Sequence, residues 1–469
     1  MLATVEIPVW LFLLILLFAA VSFGTHFLFP PVRWFFRRRM EHAVEELNKR
    51  LERPIQPFKL YRRTDMIQRL IYDPVVAEAV TRHARTKGVR EDVAFAEAKR
   101  YAREIVPSFS ASAYFGFAIR AARWLSTRLY DVRLEDVDAG ALAEVDRDAT
   151  VVFVMNHRSN MDYVLVTYLA ADRSALSYAV GEWARVWPLS RLFRAMGAYF
   201  IRRRERNALY RRVLARYVQL ATAGGVTQAI FPEGGLSLDG HTAPPKLGLL
   251  GYIAGDYDRG GREVVFVPVA LSYDKVIEDR ILVEAGRSGA RRFRGSFLTG
   301  AGFVLRWLWR RMIGRARRFG MAAVHFGPPL ALSDVAPGPE AERVEALAQM
   351  LIARIDRAMP VLPVPLVAAV LEDGPLTRQE IAAAAAERAA TLGAAGRPVH
   401  LRGDSVAATV EDALSRMLLR RLVEEREGCI AVVEGAEPLR AYYAASAKVL
   451  PPPRADSPAR IVAPASTRT

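Results

Sequence analysis

The stretch T-V-V-F-V-M-N-H-R-S-N-M-D-Y (150–163) decides the fold and locates the chemistry. Its apolar run, Val151 to Met155, is rich in β-branched residues and predicts a strand buried on both faces of a largely parallel sheet. Open α/β sheets place their active crevice at the carboxyl ends of such strands. His157 and Asp162 follow the run, five residues apart. We therefore expect Asp162 to orient the imidazole of His157, whose second ring nitrogen then acts as a general base.

A second stretch, I-F-P-E-G-G (230–235), supports this interpretation. The spacing of His157 and Asp162 alone is a weak signal, since roughly a third of chains this long contain it by chance and a lone histidine is more often structural. The second stretch is again an apolar, strand-like run, and it is followed by a carboxylate and two glycines. Glycines after a strand allow the backbone to come close to a ligand. We expect Glu233 to fix an acceptor hydroxyl or a basic neighbour on the opposite side of one site.

Four short blocks occur in order along the chain. They are N-H-R-S-N-M-D-Y (156–163), G-A-Y-F-I-R-R (197–203), F-P-E-G-G (231–235) and V-P-V (267–269). Together they resemble the glycerolipid acyltransferase superfamily, and most closely its membrane-bound bacterial glycerol-3-phosphate 1-O-acyltransferases. The likeness extends outside the blocks, from about residue 65 to about residue 445, and includes P-P-K-L-G (244–248).

This resemblance implies transfer of a fatty acyl group from acyl-CoA or acyl carrier protein to the sn-1 hydroxyl of glycerol 3-phosphate, the first step of phospholipid biosynthesis. No bound cofactor is implied. His157 is then the base and Asp162 its orienter, whereas the expected substrate-binding residues are Arg158, Arg202, Arg203, Glu233, Gly234, Lys246 and Pro268. Arg202 and Arg203 suit phosphate oxygens because the guanidinium is a planar fork.

One departure from the family concerns the acceptor. The third block of these enzymes usually continues with arginines that are associated with the acceptor phosphate, and this chain has Leu236 and Leu238 there. Losing a guanidinium that pairs with phosphate typically costs a few kcal/mol, which is enough to change the preferred acceptor. Lysophosphatidic acid or another lipid alcohol therefore remains open as the acceptor.

The N-terminal region has the pattern of a membrane anchor. Residues 7–32 are almost free of charge, which exceeds the roughly 20 residues that a spanning helix needs. Arg33 and Arg37–Arg39 follow at once, so the positive-inside rule places the remainder in the cytoplasm. The basic leading segment of a cleaved signal peptide is missing. We expect an uncleaved anchor, and hence a bacterial inner-membrane protein with a cytoplasmic catalytic domain.

The amino-acid composition limits the classes of binding partner that we expect. The net charge is +16, which favours anionic lipid headgroups or an acidic carrier protein. The alternative that is not an enzyme is a membrane-tethered nucleic-acid-binding protein. Net charge is a less specific indication of function than four ordered motifs, so we do not expect a nucleic-acid partner. The single cysteine, Cys429, excludes an intramolecular disulfide, and the histidine spacing indicates no metal site. The oligomeric state is not indicated.

The alternation of strand-like and helical segments predicts an α/β core with a mostly parallel sheet covered by helices. Strands are expected at 150–155, 198–202, 227–231, 263–272 and 322–326. The predicted regions are an anchor (1–35), an N-terminal helical domain (36–147), the catalytic core (148–335), a mostly helical C-terminal domain (336–448) and a disordered tail (449–469). A strand-like run at 429–433 leaves a two-stranded wing open. Residues 115–130 and 303–318 suit interfacial helices or core-packing helices with a basic face.

Deleting residues 1–32 should release much of the protein from membranes, because this segment carries the predicted anchor. Some membrane binding should persist through the interfacial helices and the basic surface. Fractionation of cell membranes measures the release, and reporter fusions at the C-terminus measure topology. A C-terminus outside the cytoplasm would contradict the predicted orientation.

Overall fold

The structure is a computed structural model that describes most of the chain; the described residues are 8–23, 38, 42, 44–136, 144–169, 174–181, 189–202, 205, 207–255, 261–289, 302, 306–307, 309–310, 318–403 and 405–448. They include a central sheet. Its strands are β1 (Asp131–Asp136), β2 (Thr150–Met155), β3 (Ser177–Val180), β4 (Tyr199–Phe200), β5 (Gln228–Ile230), β6 (Val264–Tyr273), β7 (Met321–Phe326) and β8 (Leu330–Ala331).

This sheet is mostly parallel. Its order is β1-β7-β6-β2-β5-β3-β4, and β8 pairs with β6 outside that path. The five strands from β6 to β4 run parallel to their neighbours, whereas β7 and β8 are antiparallel to β6. The carboxyl ends of β2, β5, β3, β4 and β6 therefore lie at one edge. The predicted α/β class with a mostly parallel sheet is confirmed.

Helices precede, connect and follow these strands. Before β2 they are α1 (Val9–Phe23), α2 (Pro57–Leu60), α3 (Arg63–Ile71), α4 (Pro74–Lys87), α5 (Glu91–Ile105), a π-helical turn (Ser112–Ala118) and α6 (Ile119–Leu129). Between strands of the sheet lie α7 (Met161–Leu169), α8 (Leu189–Ala195), α9 (Ala208–Ala223), α10 (Leu247–Ala254) and α11 (Asp279–Arg287). After β8 come a 3-10 turn (Leu332–Asp334), α12 (Glu340–Arg357), α13 (Pro363–Val370), α14 (Arg378–Ala394), α15 (Val406–Leu419), α16 (Glu437–Ala444) and a 3-10 turn (Ala445–Ala447).

Both faces of the sheet are covered, as the unbroken apolar run of β2 requires. Val152 and Val154 pack into a hydrophobic cluster with residues of α3, α4, α5, α9 and α12. Val151, Phe153 and Met155 point to the other face and join a second cluster, which includes α7 and the C-terminal helices. Successive side chains of a strand point to opposite faces, so one short strand anchors both halves of the core.

The C-terminal region shares its core with the catalytic sheet. Every residue of α13 is buried, and this helix packs against α14, α15 and α16 within the same hydrophobic cluster as β2. A small sheet follows the order β10-β11-β9 and comprises β9 (Leu376–Thr377), β10 (Val423–Arg426) and β11 (Cys429–Val432). β10 and β11 form a hairpin, and the short β9 pairs with β11; the sequence had left a two-stranded wing open in this region.

Three strands of the sheet were not expected from the sequence: β1, β3 and the two-residue β8. β1, with the sequence D-V-R-L-E-D, lies within the stretch that we assigned to a helical domain, and it pairs in parallel with β7 at the edge of the sheet. Its polar alternation is typical of an exposed edge and carries little apolar signal. β3 has only four residues, S-Y-A-V, which is too short for a clear pattern.

The predicted anchor is described only in part. α1 covers residues 9–23 of it. Among the described residues, no helix combines the length and the apolar character needed to cross a membrane. The remainder of the predicted span, most of residues 303–318 and the tail from residue 449 lie outside the described residues.

Replacing Asp274 by alanine should lower the free energy of unfolding, because this buried carboxylate joins the sheet to α13. Its Oδ2 accepts from the backbone N–H of Met321 at 2.8 Å and its Oδ1 from that of Val364 at 2.9 Å. Two buried donors left unpaired cost roughly 1–3 kcal/mol each, so we expect a loss of about 2–5 kcal/mol. Chemical denaturation measures it, with Asp373→Ala at an exposed turn as the control. Equal stabilities for the two variants would contradict this role.

Candidate functional site

His157 and Asp162 form a buried hydrogen-bonded pair just beyond the carboxyl end of β2. His157 Nδ1 lies 2.9 Å from Asp162 Oδ2. His157 is 2% exposed and Asp162 0% exposed. The loop that follows β2 turns into α7, and Asp162 lies in the first turn of that helix. This turn brings the two side chains together although five residues separate them.

Asp162 accepts hydrogen bonds from four donors. Besides the imidazole, Oδ2 accepts from the backbone N–H groups of Arg158 at 2.7 Å and Ser159 at 3.0 Å, and Oδ1 accepts from the hydroxyl of Tyr273 at 2.6 Å. A group that only accepts is a carboxylate, so His157 Nδ1 carries the hydrogen and Nε2 is the basic nitrogen. Burial raises the pKa of Tyr273 well above its usual range, which keeps its hydroxyl protonated as a donor.

Glu233 holds the backbone around His157. Its Oε1 accepts from the His157 N–H at 2.7 Å, and its Oε2 accepts from the Ala243 N–H at 2.9 Å. The Ser237 N–H donates to the His157 carbonyl at 2.8 Å. Both Glu233 oxygens are therefore engaged by main-chain donors. Its role in binding an acceptor hydroxyl stays a prediction.

Aromatic rings fix the plane of the imidazole. Phe231 stacks on His157 with ring centroids 4.1 Å apart, and Tyr163 contacts it edge-on at 5.5 Å. Phe231 directly follows β5, and Tyr163 lies in α7. The imidazole is thus restrained by packing as well as by its hydrogen bond.

The other predicted substrate-binding residues do not all lie together. Arg158 is buried beside the pair, and its Nη2 donates to Ser446 Oγ at 3.1 Å. Lys246 precedes α10, and its side chain lies over Gly234, where a Cβ atom would come within 2.7 Å of Lys246 Cδ. Gly234 also has a φ of 66°, so only glycine fits there without strain. Lys246 and Gly234 thus lie against each other, whereas Arg158 contacts the C-terminal region.

Pro268 and Arg202 of the second block lie elsewhere. Pro268 is within β6, paired with Val154 of β2, and its carbonyl accepts from the Gly327 N–H at 2.8 Å. Arg202 follows β4, three strands from β2, which is roughly 14 Å across the sheet. Its guanidinium bonds to Glu104 at 2.9 and 2.7 Å and to Glu205 at 2.9 Å. Arg203 lies outside the described residues. A phosphate contact for either arginine stays a prediction.

The sequence did not identify three residues that complete the loop. Tyr273 holds Asp162, as described above. Glu278 accepts from Ser159 Oγ at 2.8 Å and from Asn160 Nδ2 at 3.1 Å. Asn156 exchanges hydrogen bonds of 2.9 and 2.7 Å with the main chain of Leu271, which extends the pairing of β2 and β6 past the end of β2. The sequence did contain one signal for Tyr273 and Glu278. Carboxyl ends of parallel strands share one edge, so residues at the end of β6 are expected near the end of β2.

The two leucines of the third block pack into the core. Leu236 and Leu238 are half-buried against the hydrophobic cluster that contains the C-terminal helices. Leu238 also contacts α11, since a Cβ atom on Gly286 would lie 3.3 Å from Leu238 Cβ. Leu236 and Leu238 therefore contribute apolar surface to the protein interior.

Comparisons with known proteins find similar acyltransferases. A family model described as acyltransferase matches residues 137–272, and one described as glycerol-3-phosphate acyltransferase C-terminal region matches residues 305–445. The glycerol-3-phosphate acyltransferase of Aeromonas hydrophila subsp. hydrophila is 31% identical over 355 residues, which cover 69% of this chain and 42% of that protein. The one from Xanthomonas campestris pv. campestris is 29% identical over 372 residues, covering 74% and 40%. The chain thus spans about two fifths of the length of these relatives.

Among solved structures, the 1-acyl-sn-glycerophosphate (LPA) acyltransferase of Thermotoga maritima is similar with a TM-score of 0.31 and 19% identity. The match covers 55% of this chain and 81% of that chain.

Glu233→Gln should change how stability depends on pH. Burial raises the pKa of Glu233 from 4.5 to about 7, so the folded protein holds this proton more tightly than the unfolded chain does. The resulting stability is present below pH 4.5 and is lost as the pH rises through about 7. Relative to the variant, the wild type should therefore lose up to roughly 3 kcal/mol between about pH 5 and pH 8.

Denaturant unfolding of both proteins at these two pH values measures the difference. The variant loses one acceptor and should be less stable at every pH, so only the change with pH tests the assignment. A stability difference that is constant from pH 5 to pH 8 would contradict it.

Proposed function

We propose that this chain is a glycerolipid acyltransferase that transfers a fatty acyl group from acyl-CoA or acyl carrier protein to the sn-1 hydroxyl of glycerol 3-phosphate. This is the first step of phospholipid biosynthesis. The matches to the acyltransferase models and to relatives named glycerol-3-phosphate acyltransferase support this proposal. The observation that carries the proposal is the buried pair of His157 and Asp162 at the carboxyl edge of the sheet. The match to the C-terminal region of glycerol-3-phosphate acyltransferases supports this acceptor.

The reaction needs a base because an alcohol is a poor nucleophile at neutral pH. His157 Nε2 takes the proton of the acceptor hydroxyl as its oxygen attacks the thioester carbonyl. The tetrahedral intermediate then expels the thiolate, which receives the proton back from His157. One ester bond forms and one thioester bond breaks, so no acyl-enzyme is needed. Asp162 keeps Nδ1 protonated and stabilises the imidazolium that forms during attack.

We place this reaction at the cytoplasmic surface of a bacterial inner membrane. Two features support that location. The apolar helix α1 has exposed side chains along most of its length, and the net charge of +16 favours anionic headgroups. A membrane surface would also hold the fatty acyl product.

His157→Ala should lower kcat by about 100-fold or more with the protein still folded, because the general base is removed. Asp162→Asn should also lower kcat, since an amide cannot hold the same tautomer. The assay follows labelled acyl groups from acyl-CoA or acyl carrier protein into glycerol 3-phosphate, and circular dichroism checks the fold.

His83→Ala provides the matched control. His83 also pairs with a carboxylate, Glu97 at 3.2 Å, but on the N-terminal helices, so its replacement should leave kcat unchanged. Near wild-type turnover of His157→Ala would remove the base from this mechanism. If labelled lysophosphatidic acid or another lipid alcohol were acylated and glycerol 3-phosphate were not, the acceptor assignment would fail and the acyl-transfer chemistry would remain.

A further inference from the structure

A cavity of about 200 Å³ lies where the His157 loop meets the C-terminal region. A water molecule requires roughly 10–15 Å³, so this volume accommodates a small polar molecule. The charged or polar side chains that line it include Arg158, His241, Thr242, Asp356, Arg397 and Lys448. The cavity thus takes its walls from both halves of the chain.

Arg158 brings a buried positive charge to this cavity. The residue is 4% exposed, and its guanidinium donates to the neutral hydroxyl of Ser446. Among the described residues, no carboxylate lies within ion-pair distance of it. Burial raises the pKa values of the nearby Asp356 and Glu233, and the charge of Arg158 opposes that rise in both. A buried guanidinium with no anion in direct contact is still costly, because desolvation is only partly offset by these more distant charges. A bound anion would supply that partner.

Arg397 brings a second charge from the C-terminal region. Its guanidinium donates to the carbonyl oxygens of Met359 at 3.2 and 2.8 Å, of Lys448 at 2.7 Å, and of Ser446. These neutral acceptors position the guanidinium without neutralising it. Burial lowers the pKa of Arg397 to about 10, which still leaves it protonated at neutral pH.

The lining has an excess of positive charge. With His241 neutral, three cationic side chains face one carboxylate, Asp356. That carboxylate is engaged, since its Oδ1 accepts from Thr242 Oγ1 at 2.5 Å. An anion that enters the cavity therefore meets more attraction than repulsion.

The cavity is tied to the general base through the main chain. Residues 240–242 form one wall. The Ser237 N–H, just before this wall, donates to the His157 carbonyl, and the Ala243 N–H, just after it, donates to Glu233. Arg158 itself follows His157 in the chain. The cavity and the base therefore keep a fixed spatial relation.

We propose that this cavity binds the phosphate group of the acyl acceptor, and that the C-terminal region completes it by supplying Arg397 and Lys448. The inference rests on the proposed function and deepens it. Leu236 and Leu238 pack into the core and provide no cation, whereas this cavity concentrates buried positive charge beside the base. A phosphomonoester presents oxygens that suit arginine's planar fork.

Donor phosphates are the other source of the same chemistry. In coenzyme A the phosphates are separated from the thioester by the whole pantetheine arm, whereas in glycerol 3-phosphate only the glycerol carbons separate the phosphate from the attacking hydroxyl. Arg158 is adjacent to the base in sequence, so a short distance between phosphate and reacting oxygen fits the acceptor.

Direct binding to the full-length protein tests the site independently of turnover. Isothermal titration with glycerol 3-phosphate, and with inorganic phosphate as competitor, should give a dissociation constant at least tenfold higher for Arg158→Gln and several-fold higher for Lys448→Gln, because charge-assisted contacts are lost. Arg397→Gln removes three carbonyl contacts and risks loosening the C-terminal segment, so the first two variants carry the test.

Arg354→Gln is the matched control. It removes an arginine from the same helix as Asp356, but its guanidinium bonds to the carbonyls of Pro328 and Pro329 and does not line the cavity. Its affinity for glycerol 3-phosphate should match the wild type. Unchanged affinity in Arg158→Gln, or equal loss in Arg354→Gln, would overturn the proposal.

Kinetics separate the two phosphate sources. With acyl-pantetheine, a donor without phosphate, Arg158→Gln should still raise KM for glycerol 3-phosphate at least tenfold and leave the donor KM near its wild-type value. A defect that appears only with acyl-CoA would assign the cavity to the donor and overturn the proposal. A third outcome would separate the two proposals. If glycerol 3-phosphate binds, and its affinity falls in Arg158→Gln, but no acyl group is transferred to it, the proposed function is refuted and the phosphate site stands.

Discussion

The carboxylate of Asp162 is the group on which the rest of the site depends. It is fully buried, yet four donors surround it, and only one of them is the imidazole. A buried carboxylate is tolerated only when its lone pairs are satisfied, so the loop, β6 and α7 must all be in place before the pair can form. The geometry of the His157–Asp162 pair is therefore a property of the assembled sheet.

β6 provides much of that assembly. It runs past the end of β2, so that Leu271 bonds to the side chain of Asn156 and Tyr273 reaches Asp162. The next residue, Asp274, holds the N–H groups of Met321 and Val364. One strand thus links the catalytic loop, the antiparallel edge of the sheet and the start of α13.

The C-terminal helices are joined to the His157 loop through a second buried polar group. The hydroxyl of Tyr443 donates to Asp279 Oδ2 at 2.5 Å and accepts from the Val276 N–H at 3.0 Å, and Arg420 pairs with the same carboxylate. Asp279 begins α11, directly after Glu278, which holds the side chains of Ser159 and Asn160. Because these contacts cross between regions, displacement of α16 would disturb the loop that carries His157.

The sequence by itself determined the α/β class, the strand before His157 and the spacing that allows Asp162 to reach it, because apolar runs and short-range geometry are local properties. It did not reveal β1, β3 or β8, whose short or polar sequences depend on neighbouring strands for their stability. Tyr273 and Glu278 join the site over more than 100 residues of chain, and only the tertiary structure decides such contacts. No local sequence pattern indicates that Arg158 and Arg397 line the same cavity. Their shared cavity arises from packing the C-terminal region against the sheet, since burial and charge pairing are decided by the residues that surround each group in space.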